Sequence, residues 1–106
     1  MSVTFYAANE QSRTRSAYLR LPAVRAGSLL LALDYPPHDL ANPRLLLPAD
    51  VLDRIEVLRR QVALGHSREF TSIDLDEAQL LWSLEELEAV AQRAQEGGAK
   101  IVLLSA

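Results

Sequence analysis

Four of the five prolines lie between residues 34 and 48, and this cluster divides the chain into two parts with different patterns. Proline fixes its own φ, lacks a backbone N–H and disfavours helix at the residue before it. Residues 34–48 therefore predict neither a helix nor a central strand. We expect an irregular connection whose end is fixed to the core by Leu45, Leu46 and Leu47.

Three segments before this connection have the composition of strands. Residues 3–7 are rich in residues that favour extended structure. Residues 14–21 alternate between apolar and polar side chains, which is typical of a half-buried strand. Residues 28–34 are apolar on both faces, as in a central strand covered on two sides. The first part of the chain therefore predicts three strands.

The apolar period changes after the prolines. Val51, Ile55, Leu58 and Val62 recur at spacings of four, three and four, which places them on one face of a helix. A proline in the first turn and a glycine just past the end suit the two ends of a helix. The pattern predicts a helix over residues 49–64.

The remaining residues predict a strand, a second amphipathic helix and a final strand. Residues 68–73 have the composition of a short strand. Asp74 is a suitable N-cap, with Glu77 three residues later as in a capping box. The helix that follows is expected to stop at residues 97–98, a pair of glycines, and residues 101–104 are expected to form a buried strand.

Together these segments predict an α/β fold in the order β-β-β-α-β-α-β, with α+β as the alternative class. A mixed sheet with right-handed crossovers would pack against the two amphipathic helices. The length of the chain suits one domain over residues 1–106. Without cysteine, neither a disulfide nor a thiolate metal site can form.

Several functional classes lack support in the sequence. No apolar run approaches the roughly 20 residues of a membrane helix, and no basic-then-apolar leader begins the chain, so we expect a cytoplasmic protein without a membrane partner. Nucleophile-elbow, phosphate-loop and dinucleotide motifs do not occur. We therefore expect no catalysis, no metal and no cofactor.

One loop nevertheless carries residues that could do chemistry. Asp34, Tyr35, His38 and Asp39 lie together after the third predicted strand. Imidazole titrates near neutral pH and a carboxylate can orient it, so a small hydrolase or nuclease using Asp34, His38 and Asp39 is one alternative. A solvated turn with capping aspartates explains the same residues. We include Tyr35, His38 and Asp39 among the candidate partner-binding residues.

Acidic side chains concentrate in the second helix. Residues 1–68 hold nine basic and six acidic side chains, whereas residues 69–106 hold two basic and eight acidic. Glu85, Glu86 and Glu88 lie in mid-helix without a basic residue four positions on. They indicate either a solvated face or a docking surface for a basic partner, which electrostatic steering would favour.

Trp82, the single tryptophan, lies beside this acidic region. It lies off the apolar stripe of the same helix, since successive helical residues turn by about 100°. Such a ring can fold over the edge of the core, or it can project into solvent as a binding hot spot. Trp82 therefore joins the candidate partner-binding residues.

Basic residues in the first part are too dispersed to indicate a nucleic-acid binder. Arg13, Arg15, Arg20 and Arg25 surround the second predicted strand, with Tyr18 among them. Phosphate-binding surfaces usually cluster more positive charge, so no nucleic acid partner is expected. An edge strand near residues 3–7 or 14–21 could instead pair two copies of the chain as a homodimer.

The segment from Leu87 to Ser105 resembles the last helix and strand of barstar, a ribonuclease inhibitor. The likeness covers about a fifth of the chain, and the pattern is a general helix–glycine–strand closure. The first half departs from that family, which has helices after its first strand. The resemblance implies only that small acidic inhibitors can be built in this way.

The sequence thus favours a small non-catalytic protein-binding module. Such a module would dock a basic protein through an acidic helix face, as inhibitors and immunity-type proteins of bacteria or phages do. The two alternatives are the Asp/His hydrolase or nuclease and a homo-oligomeric structural or assembly protein.

Overall fold

The computed structural model describes residues 1–8, 18–36 and 43–105, which form a four-stranded sheet and three α-helices. The α/β class predicted from the sequence is confirmed, and the order of elements is close to the predicted one. The bounds are β1 (Ser2–Ala7), β2 (Tyr18–Pro22), α1 (Ala23–Ala32), β3 (Arg44–Leu46), α2 (Pro48–Ala63), a 3₁₀ turn (Ser67–Glu69), α3 (Glu77–Glu96) and β4 (Ile101–Ser105).

The sheet has the strand order β2-β1-β4-β3, and each neighbouring pair is antiparallel. Phe5 in β1 is paired with Leu19 in β2 and with Leu103 in β4. These three side chains lie on one face of the sheet and are buried. They belong to one core cluster with the apolar faces of the helices, so the helices cover this face.

The third predicted strand is wrong, because residues 28–34 belong largely to helix α1. Ala26, Leu29, Leu30 and Leu33 are buried, and their spacing of three, one and three fits a helical face. Leu31, between them, is exposed. A run of consecutive leucines satisfies the strand pattern and the helix pattern equally, so packing against β1 and β2 decides between them.

The strand predicted over residues 68–73 is also absent from the described structure, which has a 3₁₀ turn and a loop there. The strand that pairs with β4 on the side away from β1 is β3, from the segment before α2. Without a strand over residues 68–73, α2 and α3 follow one another. Two successive helices carry the chain away from the end of the sheet where β3 stops and back to it, so β4 runs antiparallel to β3. The sheet is therefore antiparallel, and the predicted mixed sheet is wrong.

Helix α2 is confirmed within one residue of its predicted bounds, with Val51, Ile55 and Leu58 buried. Helix α3 starts later than predicted. Asp76 is the N-cap in place of Asp74, and it exchanges hydrogen bonds with Gln79 in a capping box. The start is displaced because Leu75 is buried directly before the N-cap, as in a hydrophobic staple.

The predicted connection of residues 34–48 is described only in part, because residues 37–42 lie outside the described residues, and its described end contains a strand that was not predicted. Residues 44–46 form the short strand β3, and of the three leucines expected to fix it only Leu46 is buried, whereas Leu45 and Leu47 are exposed. Within the described ranges, no helix is both long and apolar enough to cross a membrane.

Candidate functional site

The candidate partner-binding residues fall into two groups. Trp82, Glu85, Glu86 and Glu88 lie on α3, and Tyr35 lies just after α1. His38 and Asp39 lie outside the described residues. Of the three residues of the predicted Asp/His site, the described structure includes only Asp34, so that site stays a prediction.

Trp82 lies on the solvent side of α3, with half of its surface exposed (50%). The core face of the helix is formed by residues such as Leu80, Leu84 and Leu87, which are fully buried. Trp82 is two positions away from each of Leu80 and Leu84, which turns its side chain away from that face. The ring therefore projects where a partner could contact it.

Glu85 and Glu86 follow Trp82 at three and four positions, so all three side chains are neighbours on the helix surface. Among the residues that the structure describes, neither glutamate has a hydrogen-bond or ion-pair partner. Ala78 and Ala89 are the small exposed residues near them on the helix. We call Trp82, Glu85 and Glu86 the Trp82 surface.

Glu88 does not belong to this surface. Although it is three positions after Glu85, it is six positions after Trp82 and therefore about 120° away from the ring around the helix. Its Oε2 atom accepts a hydrogen bond from Nη1 of Arg59 in α2 at 2.5 Å. The sequence pattern predicts no partner for Glu88, because it includes only residues of the same helix. The partner, Arg59, lies on the neighbouring helix.

Tyr35 is buried, with 6% of its surface exposed. Its hydroxyl donates a hydrogen bond to Oδ2 of Asp50 at 2.8 Å. The guanidinium of Arg54 lies 4.2 Å from the ring centroid, within the range of a cation–π contact. Burial, followed by the hydrogen bond to Asp50, raises the pKa of the Tyr35 phenol above its ordinary value. Tyr35 thus fixes the end of α1 to α2.

Arg54 joins these elements through several contacts. Its Nε atom donates to Oδ2 of Asp50 at 3.0 Å, and its Nη1 atom donates to the carbonyl oxygens of Leu33 at 3.0 Å and Asp34 at 2.7 Å. The last turn of a helix leaves carbonyl oxygens without partners inside the helix. Arg54 therefore satisfies the exposed end of α1 while pairing with its own helix.

Asp34 has an unusual backbone conformation, with φ at 63°. Its N–H bonds to the carbonyl of Leu31 and the N–H of Tyr35 bonds to the carbonyl of Leu30, which is the Schellman arrangement. The same position after α2 and α3 is occupied by Gly65 and Gly98. An aspartate at this position carries a carboxylate that a glycine would not supply.

A pocket of about 400 Å³ lies between the end of α1, helix α2 and the turn at Phe70. Its apolar lining includes Leu33, Val57 and Phe70, and Asp34 and Asp53 are among its polar lining residues. Sequence reasoning missed this pocket. The only local signal was the spacing of Asp50 and Arg54, which indicates an ion pair on one helix but not the contact with α1.

Within the described ranges, no group of three or more histidine or carboxylate side chains is arranged so that it could hold a metal ion.

Both outer strands of the sheet are short and carry features that oppose pairing. Strand β2 has an exposed arginine at residue 20 and ends at Pro22, and β3 has three residues between Pro43 and Pro48. Charge and proline are typical protections of an edge. Residues 3–7 lie in β1 between two strands, which corrects the prediction that they could form an edge.

The outer face of the sheet bears an aromatic and aliphatic row. The register aligns Tyr18, Tyr6, Val102 and Leu45 across the four strands. Tyr18 and Arg20 are both exposed on this face, as the alternating pattern predicts.

Comparisons with protein families, characterised proteins and solved structures find no match to this chain. The likeness to barstar therefore remains a likeness of one segment.

Proposed function

We propose that this chain is a non-catalytic cytoplasmic protein that binds a basic protein partner through the Trp82 surface, in the manner of an inhibitor or immunity-type protein. The observation that carries the proposal is a half-exposed tryptophan on a long helix, with the carboxylates of Glu85 and Glu86 one turn away and unpaired within the described structure. Glu88 contributes to the negative potential, but its carboxylate is already paired.

The chemistry of this surface suits an arginine or lysine side chain of the partner. A cation lying over an indole ring gains a cation–π contact, and tryptophan gives the strongest one among the aromatic side chains. The two carboxylates can accept hydrogen bonds from the same cation, and a charge-assisted bond is about twice as strong as a neutral one. The Trp82 surface thus combines an aromatic plane with two anionic acceptors.

The helix that carries this surface is fixed before any partner arrives. A capping box closes its start, and its core face packs against the sheet and α2. A partner would therefore not need to order the backbone, which limits the entropy lost on binding. The indole would be the anchor residue, and the carboxylates would speed the encounter with a basic protein.

The test compares retention of host proteins on immobilised wild-type chain, Trp82→Ala and the double variant Glu85→Gln/Glu86→Gln. We expect wild type to retain a basic protein whose affinity falls about 30-fold in Trp82→Ala, as expected for an interface hot spot worth about 2 kcal/mol. The double variant should weaken binding mainly at low salt, through a slower association rate. Surface plasmon resonance with the retained protein measures both effects.

The matched control is Glu77→Gln/Glu96→Gln, which also removes two negative charges from α3 but at the two ends of the helix. Neutralising Glu77 removes a favourable interaction with the helix dipole, and neutralising Glu96 removes an unfavourable one, so stability should change little. This control should keep wild-type binding. If the control variant and the two surface variants bind alike, the Trp82 surface is not the docking site.

A further inference from the structure

The pocket between α1 and α2 is an open apolar cavity that the side chains of the core do not fill. Ala32, Leu33, Val57, Leu58 and Phe70 supply its apolar lining. Val57 is 56% exposed although it lies on a helix whose other valines are wholly or partly buried. The volume of about 400 Å³ lies within the range of about 300–1,000 Å³ for small-molecule sites.

The polar groups around the pocket decide which ligand charge it accepts. Three aspartates and one arginine line it. Asp50 is occupied by Tyr35 and Arg54, but the carboxylates of Asp34 and Asp53 have no hydrogen-bond or ion-pair partner among the described residues. Two unpaired carboxylates beside an apolar wall favour a cation that carries an apolar group.

Arg54 does not offset this preference. Its guanidinium donates to Asp50 and to two carbonyl oxygens, and it lies against the Tyr35 ring. An anionic ligand that displaced these donors from the end of α1 would leave carbonyl oxygens unsatisfied. The arginine therefore acts as part of the wall and not as an anion receptor.

We propose that this pocket binds a small organic cation, namely a primary ammonium group attached to an apolar body. The apolar body packs against Leu33, Val57 and Phe70, and the ammonium group lies between the carboxylates of Asp34 and Asp53. This site shares no residue with the Trp82 surface. The two proposals therefore succeed or fail independently.

The first experiment titrates the ¹⁵N-labelled chain at neutral pH and constant ionic strength with phenethylammonium, 2-phenylethanol and phenylacetate, and follows the backbone amide shifts. The three probes share an aromatic body and differ in charge. We expect phenethylammonium to shift the amides of residues 34, 57 and 70 at about tenfold lower concentration than 2-phenylethanol, since a tenfold ratio is the size of one moderate charge interaction. Phenylacetate should bind most weakly.

The second experiment repeats the titration with Asp34→Asn and Asp53→Asn, and with Glu96→Gln as the control that removes one charge away from the pocket. Asparagine tolerates a positive φ, so Asp34→Asn should fold as wild type does. We expect each pocket variant to weaken binding of phenethylammonium about fivefold, in line with a partly exposed charge pair, and the control to leave it unchanged.

Asp34→Gly separates binding from stability. Glycine adopts the left-handed conformation without strain, so this variant should unfold at higher urea concentration than wild type while binding phenethylammonium as weakly as Asp34→Asn. The proposal is overturned if 2-phenylethanol binds as tightly as phenethylammonium, if the shifts map outside the pocket, or if the Asp34 and Asp53 variants bind as tightly as the control.

Discussion

At the scale of single residues, the position just after each helix is occupied by two different residue types, aspartate and glycine. Each α-helix in the described ranges ends with a residue at positive φ, namely Asp34, Gly65 and Gly98. Glycine reaches this conformation freely, whereas an L side chain is strained there by contact with its own backbone. Two of these helix ends therefore follow the usual preference. At the third, Asp34 adopts this strained conformation, and it lines the pocket.

Tyr35, the residue after Asp34, gives a prediction for alkaline pH. Burial and the hydrogen bond to Asp50 raise the pKa of its phenol in the folded chain. In the unfolded chain the phenol ionises near pH 10, so above about that pH the unfolded state has lost a proton that the folded state keeps. Tyr35 should therefore contribute its full stabilisation below pH 10, and the free energy of unfolding should fall as the pH rises further.

The measurement is urea unfolding at pH values from about 8 to 11 for wild type and Tyr35→Phe. The variant should be about 1 kcal/mol less stable at the lower pH, because it lacks the hydrogen bond to Asp50, and its stability should decline less steeply above pH 10. Tyr18→Phe is the control, since its ring lies exposed on β2. Equal slopes in all three proteins would contradict the assignment.

At the scale of elements, the apolar run within α1 is a segment in which the local pattern does not distinguish a helix from a strand. Consecutive leucines present an apolar side chain to every direction, so neither period is favoured by the sequence. Helix α1 follows β2 without a loop, and its buried residues Ala26, Leu29 and Leu30 face the sheet core. What distinguishes helix from strand is therefore the surface on which the run packs.

Gly27 tests this assignment. It lies inside α1, and a Cβ atom built on it would meet nothing within 4 Å. Because alanine is favoured over glycine by about 1 kcal/mol within a helix, Gly27→Ala should raise the free energy of unfolding by up to that amount. Gly98→Ala should lower it by about 1–2 kcal/mol, since residue 98 has a positive φ.

Urea unfolding of both variants measures these changes, with far-ultraviolet circular dichroism to follow helix content. A loss of stability in Gly27→Ala comparable to that in Gly98→Ala would show that residue 27 does not lie within a helix.

At the scale of the whole molecule, β4 holds the sheet together. It lies between β1 and β3, so the last described strand pairs with both the first strand and the strand that follows the proline-rich connection. Its buried residues Ile101 and Leu103 join the core under the helices. The stability of the fold therefore depends on contacts between the two ends of the chain.

Two adjacent leucines in β4 give a matched comparison. Leu103 points into the core, whereas Leu104 lies half-buried on the outer face. We expect Leu103→Ala to lower the free energy of unfolding by about 3 kcal/mol through lost burial and the cavity left behind. Leu104→Ala should lower it by about 1 kcal/mol or less. Thermal or urea unfolding checks both, and equal losses would contradict the assigned faces of β4.

Much of the local structure follows from the sequence because it is set within a few residues. The four-three-four spacing from Val51 defines α2, and glycine at residues 65 and 98 marks where α2 and α3 end. Alternation in β2 places Leu19 and Leu21 on the core side. Periodicity and helix-ending chemistry act over a single turn or a single strand, so a linear pattern contains them.

Contacts between distant residues were decided only by the tertiary structure. The leucine run became a helix because of the sheet beneath it, Glu88 gained its partner from α2, and the pocket formed where Arg54 meets the end of α1. Each of these depends on groups about 20 or more positions apart, whose approach the chain path alone determines. The sequence therefore determined α2, α3 and the strands β1, β2 and β4 with their buried faces, whereas tertiary packing determined α1, β3, which charges remain unpaired and where the pocket lies.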